Sequence, residues 1–282
     1  MTSHVAETSM SDSEFSKLRA IVHKTTGITI AENRRSMLIS RLRKRLREVE
    51  EPSFSSYISR LANDPGEMQE LTNRVTTNET YFYRTPRVWD HFIETFLPEF
   101  HKTAGGRKMR VWSAAASTGE EAHTVGVLLE QQRLQHPGFD YSVLGTDVSS
   151  RVLDIAQTGV YNGRAIARFR TAQPELFQKH MKGDDATGYK AVPQVRSRLK
   201  FKLHNLLEKM SGAGGFDVVF LRNVLIYFTP EDQEKILAHV RRMIRSDGVL
   251  YIGESETLTN LSTDFSQIAP IIYQPTARAG AE

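Results

Sequence analysis

Cysteine is absent from this 282-residue chain. That excludes disulfides, thiolate metal ligands and any mechanism built on a thiolate nucleophile. It also fits a reducing compartment, so a cytoplasmic location is expected. The nine histidines show no H-E-x-x-H or comparable spacing, and no metal is assigned. Long apolar runs are missing too: none approaches the roughly 20 residues of a membrane span. The polar start, Met1 to Ser13, carries two acids and has neither leader nor transit character. It reads as a disordered tail, residues 1–13. Net charge is only +4, so any electrostatic role must come from local clustering.

Hydrophobic content of 39% and charged content of 25% are ordinary for a soluble globular protein, and the length suits one large domain or two modest ones. The stretch Val111 to Glu121 joins an apolar run, a string of small residues and two acids that open a helix. Small residues after a strand let a ligand approach the backbone, and a helix N-terminus offers free N–H groups. Only one glycine, Gly119, lies there, so it is neither a G-x-G-x-x-G fingerprint nor a P-loop. An ordinary tight turn remains an alternative.

The first hundred residues predict helices. Ser11 and Glu14 form a capping box ahead of Phe15, Leu18, Ile21 and Val22, and Thr26-Gly27 stops the run. A second helix spans about Glu32 to Val49, with Leu38, Leu42, Leu46 and Val49 on one face. A third is capped by Ser53 and carries Phe54, Tyr57, Ile58 and Leu61; a fourth uses Met68, Leu71 and Val75. On the second helix Arg34, Arg35, Arg41, Arg43, Lys44, Arg45 and Arg47 follow with no acid among them. Like charges at helical spacing repel, so the stripe suggests an acidic partner. A solvated face and a nucleic-acid contact are the alternatives.

Next comes the polar segment Thr76 to Arg84, then Thr85 as N-cap with Pro86 at the first helical position. The segment is either a linker with aromatic anchors or a binding strip laid over the next domain's pocket. From Met109 strands and helices alternate: strands at Met109–Ser113, Tyr141–Thr146, Leu199–Leu203, Phe216–Leu221 and Gly248–Gly253, then two short ones near Phe265–Ile268 and Ile271–Tyr273. Ser149 and Thr229 are expected to cap helices that carry Val152, Leu153, Ile155 and Ala156, and Ile236, Leu237, Val240 and Met243. This is an α/β pattern with a doubly wound parallel sheet. Gly159 to Arg198 is longer than a crossover helix needs and reads as an inserted subdomain with a hairpin, a docking surface or only a long loop. Ligands of such sheets sit beyond the strands' carboxyl ends. Polar residues stand there at Ser117–Glu121, Asp147, Asn205 and Arg222-Asn223, which points to a nucleoside-bearing cofactor.

The stretches TTNETYFYR, VWSAAASTGEE, TDVS, HNLLE, FDVVFLRNVLIYF and GESE, in that order from about residue 14 to 273, resemble the CheR family of chemotaxis receptor methyltransferases. The resemblance implies a class I methyltransferase fold with a small inserted β-subdomain, preceded by an all-α domain. It implies four parts: a tail, 1–13; a receptor-recognising helical domain, 14–76; an interdomain segment closing on the cofactor, 77–90; and the methyltransferase domain, 91–282, with its insertion at about 159–198. The implied cofactor is S-adenosylmethionine, and the implied acceptors are glutamates of chemoreceptors, giving methyl esters.

Carried over position by position, the resemblance implies that Asn78, Thr80 and Arg84 close over the cofactor, that Glu121 and Asp147 bind its methionine and ribose parts, and that Asn205 and Leu206 flank the adenosine. Arg222, Asn223 and Val224 line the pocket, and Arg84 and Tyr227 stand nearest the methyl. Tyr227 read plainly is a core aromatic. The implied partners are an acidic receptor helix on Arg41, Arg43, Lys44, Arg45 and Arg47, and a receptor C-terminal tether peptide on the insertion. A monomer is expected. Two features depart from the family: His123-Thr124 replaces Pro-Tyr-Ser, and the hairpin near Lys182 to Val192 differs in length and glycine content.

Two rivals stand beside this reading. A nucleic-acid methyltransferase lacks support, because the cytosine-carbon class needs a cysteine, and Asn223-Val224-Leu225-Ile226 is not the Asn/Asp-Pro-Pro-aromatic turn of the amino-group class. A non-catalytic cofactor-binding adaptor would show decayed cofactor-facing residues, and none is visible. Reversing the charges of Arg43 and Arg47 is expected to weaken binding to a receptor fragment while sparing cofactor affinity. If a pull-down shows receptor capture untouched, the basic stripe is a solvated face.

Overall fold

The protein, described here by a computed structural model, is seen over residues 9–212 and 214–276; residues 1–8 of the expected tail lie outside them. Helix α1 (Asp12–Thr26) starts on the expected capping box, with Ser11 Oγ accepting from Glu14 N and Glu14 accepting from Ser11 N at 2.8 Å. Met10 is already buried, so packing begins ahead of the boundary expected at residue 13. Helices α2 (Arg35–Glu48, after one 3-10 turn at Glu32–Arg34), α3 (Phe54–Leu61) and α4 (Pro65–Val75) complete the bundle. Their apolar faces, among them Leu18, Leu38, Leu42, Phe54 and Leu71, enclose a core of their own.

The basic stripe divides in two. Arg45 turns inward and holds the buried Glu67 carboxylate with two bonds of 2.9 and 2.7 Å, while Tyr57 Oη donates to the same group. Arg41 donates to the carbonyls of Arg74, Val75 and Thr76, closing the open end of α4. Glu67 and carbonyls at the end of α4 thus supply partners beside the one acid of α2, Glu48, which Arg45 meets at 3.2 Å. Arg43, Lys44 and Arg47 are exposed.

Helices α5 (Pro86–His91) and α6 (Leu97–Thr103) form one rod joined by a widened turn at Phe92–Phe96, where Leu97 N bonds Phe92 O. Pro98 follows; its ring excludes a regular helical bond, and the wider turn absorbs the misfit. Thr85 precedes the rod as expected but gives no side-chain cap: its backbone is left-handed (φ 61°) rather than extended, and its hydroxyl donates to Glu254 at 3.1 Å. Ser149 likewise precedes α8 (Ser150–Thr158) without capping it; its hydroxyl bonds Asn73 of α4 at 2.9 Å. On α8 Val152, Leu153 and Ala156 are buried, whereas Ile155 is exposed.

The large domain is built on β1 (Met109–Ala114), β2 (Tyr141–Asp147), β5 (Leu199–Leu203), β6 (Phe216–Leu221), β7 (Ile244–Ile252), β8 (Phe265–Ala269) and β9 (Ile272–Pro275). Their spatial order is β5-β2-β1-β6-β7-β9-β8. The first five are parallel, while β9 runs antiparallel to both β7 and β8. Every residue of β6 is buried, as suits its mostly apolar run; the one acid, Asp217, accepts from Arg107 Nε at 3.0 Å and Arg110 N at 2.8 Å. The chain steps outward from β1 through β2 to β5, then returns to β6 on β1's other side. The switch point therefore lies between β1 and β6, where a crevice opens at the carboxyl ends.

The crossovers include α7 (Glu120–Gln135), buried without interruption from Ala122 to Glu130, and α12 (Pro230–Met243), capped by Thr229 as expected. The insertion holds the expected hairpin, β3 (Met181–Asp184) with β4 (Gly188–Ala191), but three helices make up more of it. These are α9 (Arg164–Ala172), α10 (Pro174–His180) and α11 (Pro193–Arg196), of which α10 and α11 pack on α7. Ile166, Phe169, Phe177 and Val195 are their buried apolar residues. Among the described residues no helix is long and apolar enough to cross a membrane.

Glu67→Ala is expected to lower stability by about 2 kcal/mol, since Tyr57 and Arg45 lose their acceptor inside the bundle. Burial works to raise the Glu67 pKa, but the bonds from Arg45 and Tyr57 hold it below the ordinary glutamate range. The stabilisation is therefore present above that range and lost as pH falls through the depressed pKa. Urea titrations of both proteins at neutral pH that coincide would contradict this.

Candidate functional site

Past β1 the chain enters three left-handed residues in alternation: Ala115 (φ 72°), Ser117 (φ 51°) and Gly119 (φ 95°). Such alternation curls the backbone so that N–H groups converge. Ala116 N bonds Thr146 O at 2.7 Å and Ser117 N bonds Asp147 Oδ2 at 2.9 Å, tying the loop to the end of β2. The one glycine stands where a side chain cannot. A Cβ on Gly119 would lie 2.7 Å from Ala156 Cβ and 2.8 Å from Tyr161 Oη.

Asp147 ends β2 with 7% exposure, and its other oxygen accepts from Ser149 N at 2.9 Å. Burial pushes its pKa up, opposed by these N–H groups. Each oxygen keeps acceptor capacity for a hydroxyl donor.

Glu121, in the first turn of α7, accepts from Ser113 Oγ and from Arg222 Nη1, both at 2.8 Å. Arg222, at the end of β6, also donates to Arg84 O at 2.8 Å and lies over the Trp89 ring, 5.5 Å from its centroid. Its buried Nε has no partner. Asn78 O accepts from Ser117 Oγ, so the interdomain segment touches the loop after β1 directly. Arg84 donates from Nη1 to Glu79 O at 3.0 Å and lies over the Tyr81 ring.

After β6, Asn223 is left-handed (φ 59°) and leads into the 3-10 turn Leu225–Tyr227. The helical domain forms the facing wall. Thr29 N donates to Tyr227 O at 2.8 Å, the Arg34 guanidinium lies over the Tyr227 ring, and Asn205 donates from Nδ2 to Thr25 O at 2.9 Å.

These walls enclose one cleft of ≈ 1160 Å³, counting the space at its mouth. Asn78, Thr80, Arg84, Glu121, Asp147, Asn205, Leu206, Arg222, Asn223, Val224 and Tyr227 all line it. Asn205 does so with its side chain already committed to Thr25 O and Leu207 N. The sequence reading missed Ile28, Ile30, Arg34 and Met37, which give the helical domain a share of the wall, and His204 at the end of β5. It also gave no role to Glu256, although that residue lies in the GESE stretch. Arg41, Arg43, Lys44, Arg45 and Arg47 do not line the cleft.

A cleft with an acid at the end of β2, a second acid at a helix start and a buried guanidinium with an unpartnered N–H suits a zwitterionic nucleoside. Residues 78–272 match the family described as CheR methyltransferase, SAM binding domain, and residues 13–76 match CheR methyltransferase, all-alpha domain. The chain belongs to the CheR methyltransferase family. The chemotaxis protein methyltransferase of Salmonella typhimurium is 35% identical over 273 residues, covering 94% of this chain and 90% of that one. Chemotaxis protein methyltransferase 1 of Pseudomonas aeruginosa is 31% identical, covering 94% and 99%. The Escherichia coli chemotaxis protein methyltransferase is 32% identical, covering 94% and 91%. In this CheR protein, S-adenosylmethionine is the cofactor the cleft must fit.

Gly119→Ala is expected to weaken S-adenosylhomocysteine binding at least about tenfold, because the added methyl forces the loop off Ala156 and Tyr161. Calorimetric titration giving an unchanged Kd would show that the loop's path does not matter to binding.

Proposed function

We propose that this CheR methyltransferase esterifies glutamate side chains of chemoreceptors, with Arg84 and Tyr227 acting at the transferred methyl and Glu121 and Asp147 holding the cofactor. The observation that carries this reading is the single cleft that unites the two acids with Arg84 and Tyr227. Relatives named as chemotaxis methyltransferases, matching along nearly their whole lengths, support the acceptor class.

S-adenosylmethionine supplies an electrophilic methyl on a sulfonium. A glutamate acceptor is already ionised at neutral pH, so no residue need act as a base. Rate then comes from holding the acceptor oxygen in line with the methyl at near-attack distance. Arg84, fixed by Glu79 O and Tyr81, orients one carboxylate oxygen and leaves the other to attack. Tyr227 donates a hydrogen bond to the same carboxylate. Asp147 receives the ribose hydroxyls. Arg222 keeps Glu121 aimed at the ligand's amino end, and its buried Nε has no partner within the protein. The exposed Arg43, Lys44 and Arg47 of α2 receive the acidic face of the receptor helix, and the hairpin β3–β4 is the surface to probe with a receptor C-terminal peptide.

The test is transfer of a radiolabelled methyl to a receptor cytoplasmic fragment. Base-labile label, released as methanol, supports the ester; cofactor retention without transfer, or label in nucleic acid, contradicts it. In that assay Arg84→Ala should lower turnover at least about tenfold. Asp147→Ala should weaken cofactor binding by about 2 kcal/mol, the worth of a charge-assisted acceptor. Near-normal turnover, or an unchanged Kd, removes the residue concerned from its role.

A further inference from the structure

The loop after β7, Gly253 to Glu256, reaches across to the turn that follows β6. Glu256 is 8% exposed, and its carboxylate accepts main-chain N–H groups from three residues: Asn223 at 2.9 Å, Leu225 at 2.8 Å, and Gly253. Two of these donors belong to the turn that carries Tyr227. The carboxylate also sits against Asn223, whose left-handed backbone (φ 59°) persists where its surroundings hold it. Gly253 leaves the needed room: a Cβ there would stand 2.6 Å from both Asn223 Nδ2 and Glu256 Oε2.

From Asn223 the chain has little freedom. Tyr227 N bonds Val224 O at 3.2 Å and Phe228 N bonds Leu225 O at 3.0 Å. Gln233 holds the carbonyls of Leu225 and Phe228, and Thr29 N holds that of Tyr227. Glu256 therefore fixes the near end of the turn while Gln233 and Thr29 fix the far end. Glu256 is not among the residues lining the cleft.

We infer that Glu256 is a positioning residue for methyl transfer, holding the Asn223–Tyr227 turn so that Tyr227 meets the acceptor carboxylate. The inference rests on the role given above to Tyr227. A carboxylate serves here because it accepts several N–H groups at once. A glutamine in its place would set an N–H₂ group against one of the same donors, and the turn would shift by a fraction of an ångström, which in-line transfer does not tolerate.

The experiment is a double-mutant cycle on the full chain with Tyr227→Phe and Glu256→Gln. It reads kcat and KM with a receptor fragment, and Kd for S-adenosylhomocysteine. Glu256→Gln alone is expected to lower kcat about tenfold or more with KM changed less than about threefold. In the Tyr227→Phe background the same substitution should lower kcat by less than about threefold, because the group it positions is gone. Glu256→Asp keeps the charge and should recover part of the loss; it also replaces Glu256→Gln in the cycle if that variant does not fold. Fully additive costs, with Tyr227→Phe itself impaired, overturn the positioning role and leave the Tyr227 assignment standing. An unimpaired Tyr227→Phe overturns that assignment, and this inference with it.

Discussion

One buried guanidinium joins the parts of this site. Arg222 has a side chain only 2% exposed, and it meets Glu121 from α7, the carbonyl of Arg84 from the interdomain segment and the face of Trp89 from α5. Arg84 and Trp89 lie far in sequence from Glu121 and from Arg222 itself, and the guanidinium joins them. A charge so removed from water is tolerated only with partners of good geometry, and removing one would strand the other. The pair therefore fixes where the start of α7, the end of β6 and the Arg84 backbone stand relative to one another.

Around this pair the backbone is strained in a pattern that follows the cleft. Of the seven non-glycine residues with positive φ among the described residues, Ala115, Ser117 and Asn223 line it, and Tyr83 and Thr85 flank Arg84. Each is anchored by a polar partner at or beside it: Thr146 O to Ala116 N beside Ala115, Asp147 to Ser117 N, Glu256 to Asn223 N, Glu254 to Thr85 Oγ1, and Thr124 Oγ1 to Tyr83 N. The acids that follow the strands thus restrain the backbone, beside the ligand recognition proposed for Glu121 and Asp147. Glu256 shows the restraint without the recognition.

Much of this was legible in the sequence, because burial writes itself as pattern. The mostly apolar run Phe216–Leu221 was legible as a strand, and Ser11 and Thr229 marked helix starts whose caps formed as expected. Polar residues at consecutive strand ends pointed to the cleft before any packing was known. Tertiary choices were not legible. Thr85 and Ser149 have the right type for caps, but their hydroxyls are taken by Glu254 and Asn73 from distant elements. Arg41 and Arg45 look like a docking face in sequence, yet α4 turns them inward. The scarcity of glycine in the first loop misled for a related reason: Ala115 and Ser117 take left-handed backbone that composition alone would assign to glycine. The insertion's helices were hidden by a shortage of periodic length, since α9 and α10 are nine and seven residues long.

For a methyl transfer that needs no base, function reduces to placement, and the fold supplies placement by bracing each loop from a neighbour. The account stands on where the cofactor lies in the cleft. The most direct measurement is a crystal structure of the full chain with S-adenosylhomocysteine. The account predicts ribose hydroxyls on Asp147, the homocysteine end between Glu121 and Arg84, and the sulfur facing Tyr227. A ligand bound away from Asp147, or a sulfur turned from Tyr227, would contradict it.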